Sequence, residues 1–199
     1  MSDRLILASG SEIRATLLRN AGLEIDVQPA RVDEASLRDS LLAEGTRPRD
    51  IADALAELKA AKVSAREPGR LVIGADQVLD HRGTLFSKPE SPGEAEDQLR
   101  TLSNDRHQLH SAAVICEDGR PVWRHVGTVR LMMRPLSDAY IEDYVARNWT
   151  SVRHAVGAYK LEEEGARLFT RIDGDNFNVL GLPLLELLSY LILRGTLPS

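Results

Sequence analysis

The stretch LVIGADQVLD, Leu71 to Asp80, decides how this chain is built. Leu71, Val72 and Ile73 form an apolar run without polar alternation, the pattern of a strand buried on both faces. The run then meets Gly74, Ala75 and an acid, Asp76. This reading puts a carboxylate at the C-terminal end of a buried strand, where ligands of open α/β sheets bind. Gly74 has no side chain, so backbone or ligand can come close there. An acid so placed suits a metal ligand or a general base. The competing reading is an aspartate that merely caps the next turn.

Working outward, Leu5 to Ala8 is a second all-apolar run, expected as a central strand. Ser11 follows as the expected cap of a helix through Ile13, Leu17 and Leu18, ended by Gly22. Leu23 to Val27 reads as a strand. Ser36 to Glu67 reads as helix with a break near Gly45 and Pro48, its second half placing Ile51, Leu55 and Leu58 on one face. Gln77 to Asp80 is expected to pair with Thr84 to Phe86 around His81–Arg82–Gly83. Ser91 starts a helix from Pro92 to Leu102. Gln108 to Cys116 and Pro121 to Met133 form a hairpin across Asp118–Gly119. A helix begins at Ser137, Gly174 to Asn178 reads as loop, and Pro183 opens the last helix. Alternating strands and helices around one long hairpin indicate an α/β fold with a mixed sheet.

The chain has 199 residues, 43% apolar, 28% charged and only 5% aromatic, so aliphatic side chains must fill its core. Its net charge of −5 argues against binding a nucleic-acid backbone while leaving room for a local basic pocket. Cys116 is the single cysteine, which excludes an intrachain disulfide and favours a cytoplasmic setting. Within AAVIC it reads as a packed thiol. The N-terminal MSDRLILASG lacks the apolar length of a signal peptide. The final LPLLELLSYLIL contains Glu186 and falls short of the roughly twenty residues of a membrane span, so no membrane partner is expected.

Other residues carry chemistry only in combination. In SGSEIR, small residues between strand and helix expose backbone N–H groups, and Arg14 lies one turn into the helix, an arrangement suited to phosphate. Without GxxxxGK[ST] it is no P-loop. Asp33 and Glu34 precede a helix, where acids ordinarily complement the dipole. Lys59 in ELKAAK and Lys88 in Ser87–Lys88–Pro89 are candidate phosphate counter-charges. His107 and His110 should lie on opposite faces of a strand, and no HExxH, CxxC, GxSxG or GxGxxG occurs. A zinc enzyme, serine hydrolase or dinucleotide dehydrogenase is thereby disfavoured.

Taken in order, these pieces resemble the Maf family of nucleoside triphosphate pyrophosphatases. LILASGSEIRATLLRNAGL is similar to the family's LILAS-x-S-x-x-R opening. VDE at 32–34, LAELKA at 55–60, VIGADQV at 72–78, Lys88–Pro89, His107 and NVLGLPL at 178–184 follow in the family's order. Each motif is weak alone; the series spans nearly the whole chain.

The resemblance implies a single domain over 1–199, a two-lobed α/β mixed sheet with flanking helices and a central cleft, similar to inosine-triphosphate pyrophosphatases, and a homodimer. It implies hydrolysis of a nucleoside triphosphate to monophosphate and pyrophosphate, assisted by a divalent cation, Mg²⁺ or alternatively Mn²⁺. Asp76 is the implied general base and, with Glu34, a metal ligand. Ser9, Ser11, Arg14, Lys59 and Lys88 are the implied phosphate contacts. House-cleaning of altered nucleotides is the implied role.

The chain departs from the family in places. The usual S-P-R-R is Ser11–Glu12–Ile13–Arg14, the acid before the helix lysine is replaced by Leu58 with Glu57 one position earlier, and Ser111–Ala112 replaces threonine–glycine. Members acting on dTTP and UTP usually read GADT. Gln77 here, with Lys160 and Glu162 in AYKLEEEG, is more similar to the 7-methyl-GTP branch; the resemblance implies these three as substrate contacts and favours a purine or modified purine. Gly74–Ala75 is not that branch's Gly-Ser. The alternatives are a 7-methyl-GTP-specific enzyme, a nucleotide-binding regulator of cell division with little turnover, or a metal-dependent phosphomonoesterase that would release orthophosphate.

Overall fold

A computed structural model describes residues 5–198. The first four residues of the N-terminal stretch read above lie outside the described residues. In chain order the elements are β1 (Leu5–Leu7), α1 (Glu12–Asn20), β2 (Ile25–Val27), α2 (Glu34–Ala43), α3 (Pro48–Ser64), β3 (Val72–His81), β4 (Thr84–Phe86), α4 (Pro92–Leu102), β5 (Arg106–Glu117), β6 (Arg120–Met133), α5 (Asp138–Val152), β7 (Phe169–Asp173), α6 (Asn176–Val179) and α7 (Leu184–Leu193). The sheet has seven strands in the order β2-β1-β3-β5-β6-β7, with β4 paired to β3. β1 pairs parallel with β2 and β3, whereas β4 and β7 pair antiparallel with β3 and β6. The sheet is mixed, as the sequence indicated.

The chain divides into two compact units. The first comprises the described parts of Met1–Gln77, His110–Gly127 and Asp175–Ser199; the second comprises Val78–Leu109 and Thr128–Gly174. In the first unit, β1 explains why its sequence has no polar alternation. Leu5 and Leu7 enter one cluster with Leu18, Ile73 and Leu187, while Ile6 and Ala8 enter another with Val63 and Val72. Successive side chains point to opposite faces, and both faces are covered. Truncating a fully buried residue such as Leu7 to Ala would cost about 2–5 kcal/mol.

The second unit is built on the β5–β6 hairpin's outer part, β7, α4 and α5. The hairpin turn belongs to the first unit and has Asp118 and Gly119 at φ +49° and +75°, the paired left-handed geometry of a tight two-residue turn. Ser91 caps α4 by accepting from the Glu94 N–H. Burial pushes the Cys116 thiol up to about 11, which keeps it protonated and inert. Among the described residues no helix is long and apolar enough to cross a membrane.

Several expectations need correction. β3 continues unbroken for ten residues from Val72 to His81, so Asp76 stands in mid-strand rather than at a strand end. The extension holds because Leu79, Asp80 and His81 find partners in β4. Ser11 occupies the N-cap position of α1 but makes no side-chain cap bond. Gly174 to Asn178 is not all loop: Asp175 accepts from the Asn178 N–H and starts the short helix α6. Leu58 is only partly buried, and the buried stripe of α3 runs through Lys59 instead.

Candidate active site

Small residues lay α3 against β3. Ala52, Ala56 and Ala60 are fully buried at four-residue spacing. A Cβ built on Gly74 would lie 2.1 Å from the Ala56 carbonyl oxygen and 2.6 Å from the Ala60 nitrogen. Only glycine permits that approach. It delivers Lys59, the residue before Ala60, to the next side chain on the same face of β3, which is Asp76. Lys59 Nζ lies 2.6 Å from Asp76 Oδ1 and 3.0 Å from Glu34 Oε2. The side chains of Lys59 and Asp76 are 9% and 10% exposed, against 49% for Glu34. Glu34 is set at the first turn of α2 by Asp33, whose carboxylate accepts from the Ser36 N–H and hydroxyl.

Burial pushes the Asp76 carboxyl above the ordinary carboxylate range; Lys59 and Arg14 pull it back down, and Glu34 adds to the rise. A carboxylate so raised is a better proton acceptor near neutral pH than an exposed one.

Arg14 anchors the surroundings. Its Nε donates to the Gly181 carbonyl at 2.8 Å, and its Nη1 to the Ala75 carbonyl at 3.0 Å and to Ser9 Oγ at 3.2 Å. Desolvation lowers the guanidinium pKa, with Asp76 and Glu34 opposing the shift, and an arginine so placed stays charged. Gly181, at φ +93°, leaves room for it: a Cβ there would lie 3.1 Å from Arg14 Nη2. Nη2 makes no hydrogen bond among the described residues. Ser9 is buried, and its Oγ also accepts from the Ser11 N–H at 3.3 Å. Glu12, in the first turn of α1, is exposed and complements the helix dipole. Glu57 is turned outward, pairing with Arg124 alongside Asp53.

Gln77 follows Asp76 and therefore points to the other face of β3. Its Nε2 donates to Ser111 Oγ at 2.9 Å and to the carbonyls of Asn178 and Val179 at 3.0 and 2.9 Å. Ser111 Oγ donates to the Asn178 carbonyl at 2.6 Å. The amide nitrogen is thus spent on holding the Asn178–Gly181 segment. Neither Ser111 nor Asn178 was singled out as a site residue from sequence; the available signals were that Asn178 opens NVLGLPL and that Ser111 stands in the pair after His107 that departs from the family.

The first unit thus brings together Ser9, Arg14, Glu34, Lys59 and Asp76. Lys88, Lys160 and Glu162 belong to the second unit. There Lys88 is exposed after β4, Lys160 Nζ donates to Ser151 Oγ at 2.7 Å and pairs with Glu163 at 3.4 Å, and Glu162 is exposed. His107, in the same unit, is buried against Tyr159 and Phe169, with its Nε2 2.8 Å from the Tyr159 hydroxyl.

For a metal, the donors are two carboxylates, Glu34 and Asp76, that converge on one cationic point held here by Lys59. Among the described residues no set of three His, Cys, Asp or Glu side chains gathers into a protein-only cage. A pair of carboxylates suits Mg²⁺, which keeps waters and takes its other ligands from substrate phosphates.

The family model for Maf-like protein matches residues 4–193. The chain belongs to the Maf family. Among its relatives, a protein of Roseobacter denitrificans named nucleoside triphosphate pyrophosphatase is 67% identical over 198 residues, covering 100% of each chain. One of Ruegeria pomeroyi with the same name is 63% identical over 199 residues, again covering 100% of each. A more distant one, of Mesorhizobium japonicum, is named 7-methyl-GTP pyrophosphatase and is 45% identical over 197 residues, 99% of each chain.

Proposed function

We propose that this Maf protein is a nucleoside triphosphate pyrophosphatase, a hydrolase that converts a nucleoside triphosphate to its monophosphate and pyrophosphate by attack of water at the α-phosphate. The observation that carries this reading is the buried Asp76 carboxylate, raised in pKa and held 2.6 Å from Lys59 with Glu34 on the lysine's other side. The names of the 67% and 63% identical relatives support the same reaction.

Phosphoryl transfer asks a protein for positioning and charge neutralisation more than for covalent chemistry. Asp76 accepts the proton of the attacking water, for which its raised pKa fits it. Lys59 and Arg14 neutralise the phosphate oxygens, with Ser9 and Ser11 offering hydroxyls beside them. When bound by Glu34 and Asp76, a divalent cation, Mg²⁺ or Mn²⁺, would neutralise phosphate charge and stabilise the transition state. An oriented base of this kind typically contributes about 10²–10⁴-fold in rate. For Lys88, Lys160 and Glu162 a substrate-binding role is supported by the sequence resemblance alone, and KM for their alanine variants tests it.

A 7-methyl-GTP preference is the second reading, favoured by Gln77 with Lys160 and Glu162 and by the name of the 45% identical relative. Plain nucleoside triphosphate pyrophosphatase is the better supported of the two. A cytoplasmic homodimer is also proposed. Leu185, Ile192 and Leu193 on α7 are 53%, 41% and 88% exposed, apolar surface that self-association would cover. Sedimentation velocity is expected to show a dimer, and a monomer at micromolar concentration would contradict it.

The test of function is product analysis over a panel of triphosphates, including dTTP, UTP, GTP and 7-methyl-GTP, with Mg²⁺. Pyrophosphate is the expected product. Orthophosphate would instead identify a phosphomonoesterase, and binding without turnover a regulator.

A further inference from the structure

Beyond Lys59 the cations of α3 continue. Lys62 lies one turn further along the helix, about 4.5 Å of rise, and Arg66 follows just past its end. With Arg31, on the segment between β2 and α2, they line a cavity of about 320 Å³ together with Gln28, Pro29 and Val63. Lys62 Nζ donates to the Arg31 carbonyl and so fastens that segment to α3.

In a chain of net charge −5, most arginines have found acids: Arg47 with Asp50, Arg70 with Asp26, Arg124 with Asp53 and Glu57, Arg194 with Glu117. Arg31, Lys62 and Arg66 form no ion pair among the described residues. Glu67, the acid next to them in sequence, is already held by Gln28 Nε2 and Arg70. The cavity therefore carries unneutralised positive charge, and no aromatic side chain lines it, so it suits a phosphate group rather than a base. Its size reaches the lower end of the usual range for small-ligand sites, about 300 Å³. The two segments that build it also supply the acid–lysine cluster: Glu34 follows Arg31 by three residues, and Lys59 precedes Lys62 by three.

We propose that this cavity binds the pyrophosphate group, either as the end of the triphosphate or as released product. The inference deepens the pyrophosphatase reading and rests on it. Arg31, Lys62 and Arg66 act here in binding, with no part in proton transfer.

The probe is inorganic pyrophosphate, titrated calorimetrically in metal-free buffer into wild type and into an Arg31→Gln/Arg66→Gln double variant. Both side chains are exposed and unpaired, so an unchanged unfolding temperature is expected to confirm an intact fold. Lys62→Met, which keeps the aliphatic stem, is the second variant. Loss of charge-assisted hydrogen bonds should weaken the pyrophosphate Kd about tenfold or more. If KM for the triphosphate rises in parallel, the site holds the substrate's end. If KM holds and only product inhibition weakens, it holds the released product. An unchanged Kd in the variants, or no binding to wild type, overturns the proposal. Arginine-dependent binding in a protein that releases no pyrophosphate from any triphosphate would sink the enzymatic reading and leave the binding site standing.

Discussion

On the face of β3 that meets α3, Asp76 is buried, raised in pKa and held against a lysine that a second carboxylate shares. On the other face its neighbour Gln77 is also largely enclosed, yet its amide nitrogen meets three acceptors and has nothing left to offer. Both polar side chains sit on one apolar strand, at consecutive positions. The strand's period of two assigns them to different tasks. One face keeps a desolvated charge poised for a substrate; the other uses a neutral amide to hold the segment that accepts Arg14's bond at Gly181.

The largest effect is expected at Lys59. Lys59→Met leaves two carboxylates with no cation between them, and removing one partner of a buried pair costs about 3–5 kcal/mol. We expect a loss of that size by denaturant unfolding of metal-free protein at pH 8. The loss should shrink towards acid pH. Asp76 has a folded pKa above its unfolded value, so its contribution is fully present below the unfolded value and lost as pH rises through the folded one. Removing Lys59 steepens that dependence.

Gly74→Ala attacks the same face through the backbone. A methyl group 2.1 Å from the Ala56 carbonyl must push α3 away, and overpacking of this kind costs about 3 kcal/mol. Pyrophosphate release should fall with stability, because Lys59 moves with the helix. The same substitution at Gly22, φ +82° with nothing within 4 Å, is expected to leave activity unchanged.

His107 sharpens the contrast from the second unit, since it is a buried group whose charged form is unwanted. Burial lowers its pKa to about 4 from the ordinary 6.5, with His81 adding to the fall. A depressed folded value means stability fully present above the unfolded pKa and lost as pH falls towards about 4. Between pH 7 and pH 5 wild type should lose about 2 kcal/mol more than His107→Phe, measured as the pH dependence of unfolding. The slopes of Asp76 and His107 therefore have opposite signs.

The smallest effect is expected at Gln77. Gln77→Ala removes hydrogen bonds that support a segment, at about 1–2 kcal/mol. Thermal unfolding should register that loss, while KM for the triphosphate stays near the wild-type value. A large rise in KM would instead place Gln77 among the substrate contacts.

The sequence revealed the architecture because β1 and the start of β3 are apolar without alternation, and only a strand covered on both faces tolerates that. It also singled out Asp76, an acid in an apolar run. It misplaced that residue at a strand end because the pairing of Leu79 to His81 with β4 is a tertiary fact. Lys59 was legible as a candidate counter-charge, but its burial was not, since ELKAAK has the composition of an exposed helix and the burial depends on the alanines and Gly74 that let α3 approach. The bonds of Gln77 to Ser111 and to the Asn178 and Val179 carbonyls are tertiary contacts, which spacing within a motif does not convey.

The most direct test is single-turnover pyrophosphate release by wild type, Asp76→Asn and Gln77→Ala on the best triphosphate of the panel with Mg²⁺. We expect a fall of at least about 10²-fold for Asp76→Asn, with its fold checked by circular dichroism, and a rate within a few-fold of wild type for Gln77→Ala. Near-wild-type turnover by Asp76→Asn would contradict the assignment of chemistry to that face of β3.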